Sequence, residues 1–77
     1  MSRVEKRSVS IRGHRTSYSL EQPFHDELTA IAAARSLPLA ALIAEIDQNR
    51  ARQTNLSSAL RLYVLEWVKR RGSADPP

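Results

Sequence analysis

The sequence predicts a mainly α-helical domain with one β-strand near its N-terminus, whose sheet is completed by a second copy of the chain. Three observations predict this. Residues 15 to 20, "RTSYSL", alternate polar and apolar positions with a period of two. The apolar patterns that follow have helical spacing. With 77 residues and no cysteine, the chain is short for a self-sufficient core and has no disulfide to staple it.

Residues 1 to 8 are expected to form a flexible basic arm. "SVSI" then places Val9 and Ile11 at odd positions, whereas Thr16, Tyr18 and Leu20 fall at even ones. A single strand changes parity only through an extra residue, and Gly13 between the two runs tolerates the backbone of a bulge. A bulge near Gly13 and His14 would put both sets on one face. The alternative is that residues 8 to 14 form a separate extended segment. Strand pairing is expected for residues 15 to 20.

Pro23 suits the first turn of a helix, and Asp26 and Glu27 follow where negative charge favours a helix start. Phe24, Leu28, Ile31 and Ala32 lie at i, i+4, i+7 and i+8, which makes one apolar stripe. The helix should close near Arg35, because Pro38 biases Leu37 away from helical geometry. A second helix, able to begin at Pro38, carries Leu39, Leu42, Ile43 and Ile46 at the same spacing. "DQNRARQT" reads as a helix end and connector. Thr54 or Asn55 can cap a third helix over about residues 55 to 71. Its stripe is Leu56, Leu60, Tyr63, Val64, Trp67 and Val68, broadened by Leu62 and Leu65. "KRR" suits the end of that helix and Gly72 stops it, leaving 72 to 77 as a disordered tail. The folded domain is then residues 9 to 71.

A lone strand cannot satisfy its own backbone groups. Its simplest partner is the same strand of a second copy, antiparallel about a twofold axis, with helices of both chains around one core. The residues expected in that shared core are Tyr18, Leu20, Phe24, Leu28, Ile31, Leu42, Ile43 and Ile46.

Five of twelve Lys and Arg residues precede Thr16 (Arg3, Lys6, Arg7, Arg12 and Arg15), against one acid, Glu5. The other seven cations balance seven acids, so the formal charge of +4 sits in the first fifteen residues. This is either a solvated tail or an arm for a polyanion. Catalysis finds little support. His25, Asp26 and Glu27 are adjacent on a helix and point apart, with no nucleophile beside them. His14 and His25 lie on different elements, and Glu45 and Asp47 have only Asn49 at ligand spacing, so neither metal nor cofactor is expected. No apolar run approaches the roughly 18 residues of a membrane span. The N-terminus lacks the apolar region of a signal peptide, so a cytoplasmic location away from membranes is expected.

Residues 15 to 46, "RTSYSLEQPFHDELTAIAAARSLPLAALIAEI", show a strand ending in Leu20, then four residues to Phe24 and four more to Leu28. An alanine-rich helix, a tight turn with Leu37 and a helix with Leu42 and Ile43 follow. This order resembles the ribbon-helix-helix superfamily of MetJ/Arc type. "KRSVSIRGHRTSYSLE" and "NLSSALRLYVLE" resemble an uncharacterised bacterial subgroup of it. The resemblance implies an intertwined homodimer whose two-stranded antiparallel intersubunit ribbon lies in the DNA major groove, plus an extra C-terminal helix. Alternate strand residues then read bases, and the set opposite Tyr18 is Arg15, Ser17 and Ser19. Arginine can donate two hydrogen bonds to guanine, and serine can bond to several bases. Phosphates would meet the N–H groups of Leu39 and Ala40 at the start of the second helix, with Arg3, Lys6, Arg7 and Arg12 adding cations. Pro38 and Glu21 depart from the short polar caps common in the superfamily. The implied function is a small prokaryotic transcriptional regulator, a repressor associated with the nucleoid when bound. The alternative is an interaction module or antitoxin, in which Leu60, Tyr63, Val64 and Trp67 meet a partner protein or build a higher oligomer.

Overall fold

The computed structural model describes residues 4 to 74. Its element order is β1 (Val4–Ile11), β2 (His14–Glu21), α1 (Gln22–Ala34), α2 (Leu39–Asn49) and α3 (Leu56–Ala74). β1 and β2 form a two-stranded antiparallel sheet in which Ile11 faces His14, Val9 faces Thr16, and Arg7 faces Tyr18. The two residues between the strands, Arg12 and Gly13, have φ of 49° and 82°. Two successive positive φ values make the tight turn whose twist matches that of a hairpin. Gly13 takes this conformation without a steric penalty, whereas Arg12 takes it with one.

The hairpin corrects three expectations. The partner of β2 is β1 of the same chain, so the strand is not alone. The parity change is the reversal of the chain itself: a two-residue loop pairs odd positions with even ones, and no bulge is present at Gly13. Residues 4 to 8, expected in an arm, are paired strand, because their alternation continues that of Val9 and Ile11. Arg3, with the rest of residues 1 to 3, lies outside the described residues.

α1 begins at Gln22, with Glu21 extended at its N-cap and Pro23 in the first turn. Asp26 therefore sits past that turn, where it accepts a hydrogen bond from Gln22 at 2.7 Å. The helix ends in two backbone bonds, Leu37 N–H to Ala32 at 2.8 Å and Ser36 N–H to Ala33 at 3.1 Å. This motif needs a left-handed residue just past the helix, and Ser36, at φ 58°, fills the place usually taken by glycine. Pro38 caps α2 from outside: its carbonyl accepts from Ala41 and Leu42. Of the two candidate caps for α3, Asn55 is used, its Oδ1 accepting from Ser58 N–H at 2.8 Å. α3 runs to Ala74, so residues 72 to 74 continue the helix; residues 75 to 77 lie outside the described residues.

The fully buried side chains are Leu20, Leu28, Ile31, Leu42, Ile43 and Leu60. Each element except β1 contributes at least one, and β1 adds the buried Ile11. Tyr18 and Ile46 are also buried, while Phe24 packs half-exposed against this cluster. The residues expected in a shared core thus pack within one chain, with α3 supplying Leu56, Ala59, Leu60 and Val64. Val68, assigned to the same stripe, is 46 % exposed, because the apolar arc of α3 is wider than the face that α1, α2 and β2 cover. The three helices are tied by Arg35 at the end of α1. Its guanidinium donates to both oxygens of Glu45 on α2, at 2.5 and 3.1 Å, and to the hydroxyl of Tyr63 on α3 at 3.0 Å.

Candidate nucleic-acid interface

Directly opposed residues of an antiparallel pair share a face. Arg7, Val9 and Ile11 therefore lie with Thr16, Tyr18 and Leu20 against the helices. The opposite face carries Lys6, Ser8 and Ser10 from β1 with Arg15, Ser17 and Ser19 from β2. All are exposed except Ser19, which is half-buried. Lys6 faces Ser19, Ser8 faces Ser17, and Ser10 faces Arg15. The one acid on this face, Glu21, stands at its far end and accepts from Arg61 at 2.9 Å. That hydrogen bond holds its carboxyl below the usual carboxylate range.

The structure brings Arg15, Ser17 and Ser19 together on this face, as the sequence reading placed them. It adds Lys6 as a facing neighbour, together with Ser8 and Ser10. These two serines were missed because β1 was not recognised as a strand; the parity inversion about Arg12 and Gly13 was the available signal.

Arg7 is not on this face. It is half-buried on the helix side, donating to Gln22 Oε1 at 3.0 Å, while its Nε is buried without a hydrogen-bond partner among the described residues. Nearby, Tyr18 and His25 stack with ring centroids 6.4 Å apart. Burial pushes the Tyr18 hydroxyl up and, with the Arg7 charge, the His25 imidazole down.

Arg12 stands at the hairpin tip, 3.5 Å from Asp47 near the end of α2. Leu39 and Ala40 lie at the other end of α2, about 12 Å along the helix axis from Asp47. Their N–H groups are among those an α-helix leaves open at its start. The hairpin tip and this helix end are separate features.

On α3, Leu60 and Val64 are buried, and Tyr63 and Trp67 are half-buried with ring centroids 6.5 Å apart. Tyr63 and Trp67 line an open groove of about 600 Å³ between α2 and α3, with Ile46, Ala59 and Leu62. Leu62, Leu65 and Val68 are roughly half exposed on the outer side.

Among the described residues, no group of three or more His, Asp and Glu could hold a metal ion. Among the described residues, no single helix is long and apolar enough to cross a membrane. α1 and α2 together reach that length but are bent by 102° at their junction.

A family model described as a ribbon-helix-helix domain matches residues 4–68, from the first residue of β1 to the exposed part of α3. No curated protein and no solved structure matches the chain. Ribbon-helix-helix domains are non-catalytic DNA-binding modules, so the match supports a DNA-binding regulatory role in general and not an enzyme. With a match over most of its length, and a hairpin followed by helices in the family's order, the chain belongs to the ribbon-helix-helix family.

Proposed function

We propose that this protein is a homodimeric, sequence-specific DNA-binding regulator, a repressor of the bacterial subgroup that its flanking segments resemble. The observation that carries this reading is the solvent face of the hairpin, where two cations and four hydroxyls stand together without an unpaired acid. The major groove admits a two-stranded ribbon, and its base edges offer acceptors to Arg15 and both kinds of partner to serine. Arg15, Ser17 and Ser19 contact bases, joined by Lys6, Ser8 and Ser10. Arg12 at the tip and the N–H groups of Leu39 and Ala40 meet phosphates, which positions the protein without specifying sequence. A cytoplasmic location, on the nucleoid when bound, follows from this reading.

Selection from random duplex DNA tests it. A recovered palindromic motif whose recognition depends on Arg15 and Ser17 supports the reading. Sequence preference that survives alanine at both positions shows that the hairpin is not the reader. The exposed Leu62, Leu65 and Val68 support a second reading, in which α3 docks a partner protein, such as a toxin, or a further copy of the dimer.

A further inference from the structure

We infer that Arg61 of α3, held in place by Glu21, clamps a backbone phosphate of the DNA that the hairpin face reads. The inference rests on the DNA-binding reading above and adds to it a phosphate contact made by the third helix. Its starting point is where α3 lies. The Ser19 N–H donates to Ser57 Oγ at 2.8 Å, and Arg61 Nε donates to Glu21 Oε1 at 2.9 Å. Four helical residues rise about 6 Å and two strand residues about 7 Å, so the paired contacts run α3 alongside β2 in the same direction. Strand N–H groups point in the plane of the sheet, which puts Ser57 beside the β2 edge and not beneath it. Arg61, one helical turn on, stands beside Glu21 at the end of the solvent face.

A ribbon that turns its face to the base edges turns its long edges to the walls of the major groove. Those walls are phosphate backbone. Along the end of the β2 edge, the side chain that meets such a wall is Arg61.

Its guanidinium is prepared for that place. Nε is taken by Glu21, while neither terminal nitrogen has a hydrogen-bond partner among the described residues, and the side chain is 33 % exposed. Arg35 and Arg50 also pair with acids, but each commits a terminal nitrogen within the chain, to Glu45 and Tyr63 and to the Thr54 carbonyl. The open fork of Arg61 matches two oxygens of one phosphate, a geometry a lysine would not offer. Glu21 is a positioning residue: it fixes the Nε side of the guanidinium and leaves the fork facing outward.

A simpler role for Arg61 is to mask the Glu21 charge from DNA. The two roles part when Glu21 is made neutral, because Glu21→Gln keeps an oxygen that accepts from Arg61 Nε and removes the charge to be masked. Glu21→Gln, Arg61→Gln and the double variant are compared with the full parent chain by salt-titrated anisotropy, on the selected duplex and on an unrelated one. Both side chains are about one-third exposed, so circular dichroism melts should stay close to the parent's. Arg61→Gln is expected to weaken binding to both duplexes roughly tenfold at low salt, the worth of one charge-assisted contact. The slope of log K against log salt should flatten by about 0.9 for each chain bound. The same loss and the same flattening are expected between Glu21→Gln and the double variant. A neutral methylphosphonate moved along the backbone flanking the motif locates the contact: one position in each half-site should weaken the parent and leave Arg61→Gln unaffected. A double variant that binds as tightly as Glu21→Gln, with an equal salt slope, reduces Arg61 to a mask and overturns the inference. A loss confined to the selected duplex does the same, since it marks a base contact. Sequence preference that still depends on Arg15 leaves the DNA-binding reading standing in either case. A parent chain that binds neither duplex overturns both.

Discussion

The backbone N–H of Ser19 donates to the hydroxyl of Ser57 at 2.8 Å, so the first turn of α3 closes part of the outer edge of β2. Two residues on, Glu21 is bonded to Arg61 of the same helix at 2.9 Å. α3 therefore packs on the core through Leu60 and also restricts which edge of the sheet is free. Ser57→Ala leaves the Ser19 N–H without its acceptor. The expected loss is about 1 kcal/mol, that of one hydrogen bond in a half-buried place. Amide hydrogen exchange should show the Ser19 amide losing protection, while Leu20 and Leu28 keep theirs.

Arg12 and Ser36 both hold the left-handed backbone conformation, which costs a non-glycine residue roughly 1–2 kcal/mol. Ser36→Gly should stabilise the chain by about 1 kcal/mol in chemical denaturation, because the helix-ending bonds at Ala32 and Ala33 stay in place. Arg12→Asn should also stabilise, since asparagine is favoured at the first position of this turn. It should at the same time weaken binding to all DNA sequences alike and flatten the salt dependence, as loss of one phosphate contact would. Filter binding at two salt concentrations checks this.

The two apolar anchors of α3 should respond unequally. Leu60 is fully buried, so Leu60→Ala is expected to cost about 2–5 kcal/mol and to unfold much of the population. Trp67 is only half-buried in the wall of the groove, so Trp67→Ala should cost less than Leu60→Ala. Trp67 fluorescence should accordingly be intermediate in wavelength and partly open to a quencher. A fully protected signal in the folded chain would mean that a second molecule covers the groove.

Stability should fall with acid. The Arg35 guanidinium holds the Glu45 carboxyl below its ordinary value of 4.5, chiefly through its hydrogen bonds, and Arg61 does the same for Glu21. A carboxyl depressed in the fold contributes stability above its unfolded value and loses it as pH falls through the folded one. Melting temperature should therefore decline below about pH 4.5, with Glu45→Gln showing a shallower decline. His25, pushed down by burial, adds a loss of the same sign as pH falls below 6.5, since the fold favours its neutral form.

On DNA, Arg15→Ala should lower binding to the selected site by about 1–3 kcal/mol and relax preference at one base pair. Lys6→Ala should have a comparable effect if β1 shares the groove. Fluorescence anisotropy with matched and mismatched duplexes separates loss of specificity from general weakening.

Local chemistry in the sequence was enough to place the three helices, though not the end of α3, which runs past Gly72 to Ala74. Pro23, the stripe through Leu28 and Ile31, the break at Leu37 and Pro38, and a cap at Thr54 or Asn55 each act within a few residues of themselves. The face shared by Arg15, Ser17 and Ser19 was legible for the same reason, since a strand alternates wherever it is placed. The pairing of β2 was not. Val9 and Ile11 at odd positions beside Thr16 and Tyr18 at even ones are compatible with a bulge in one strand or a reversal between two. Only the positive φ of both Arg12 and Gly13 decides between them, and arginine does not announce that conformation. The exposure of Val68 and the closing of β2 by Ser57 were equally out of reach. They depend on how far α3 extends past the helices beneath it and where its first turn lands, and a helical stripe records which side is apolar but not how much of it a neighbour covers.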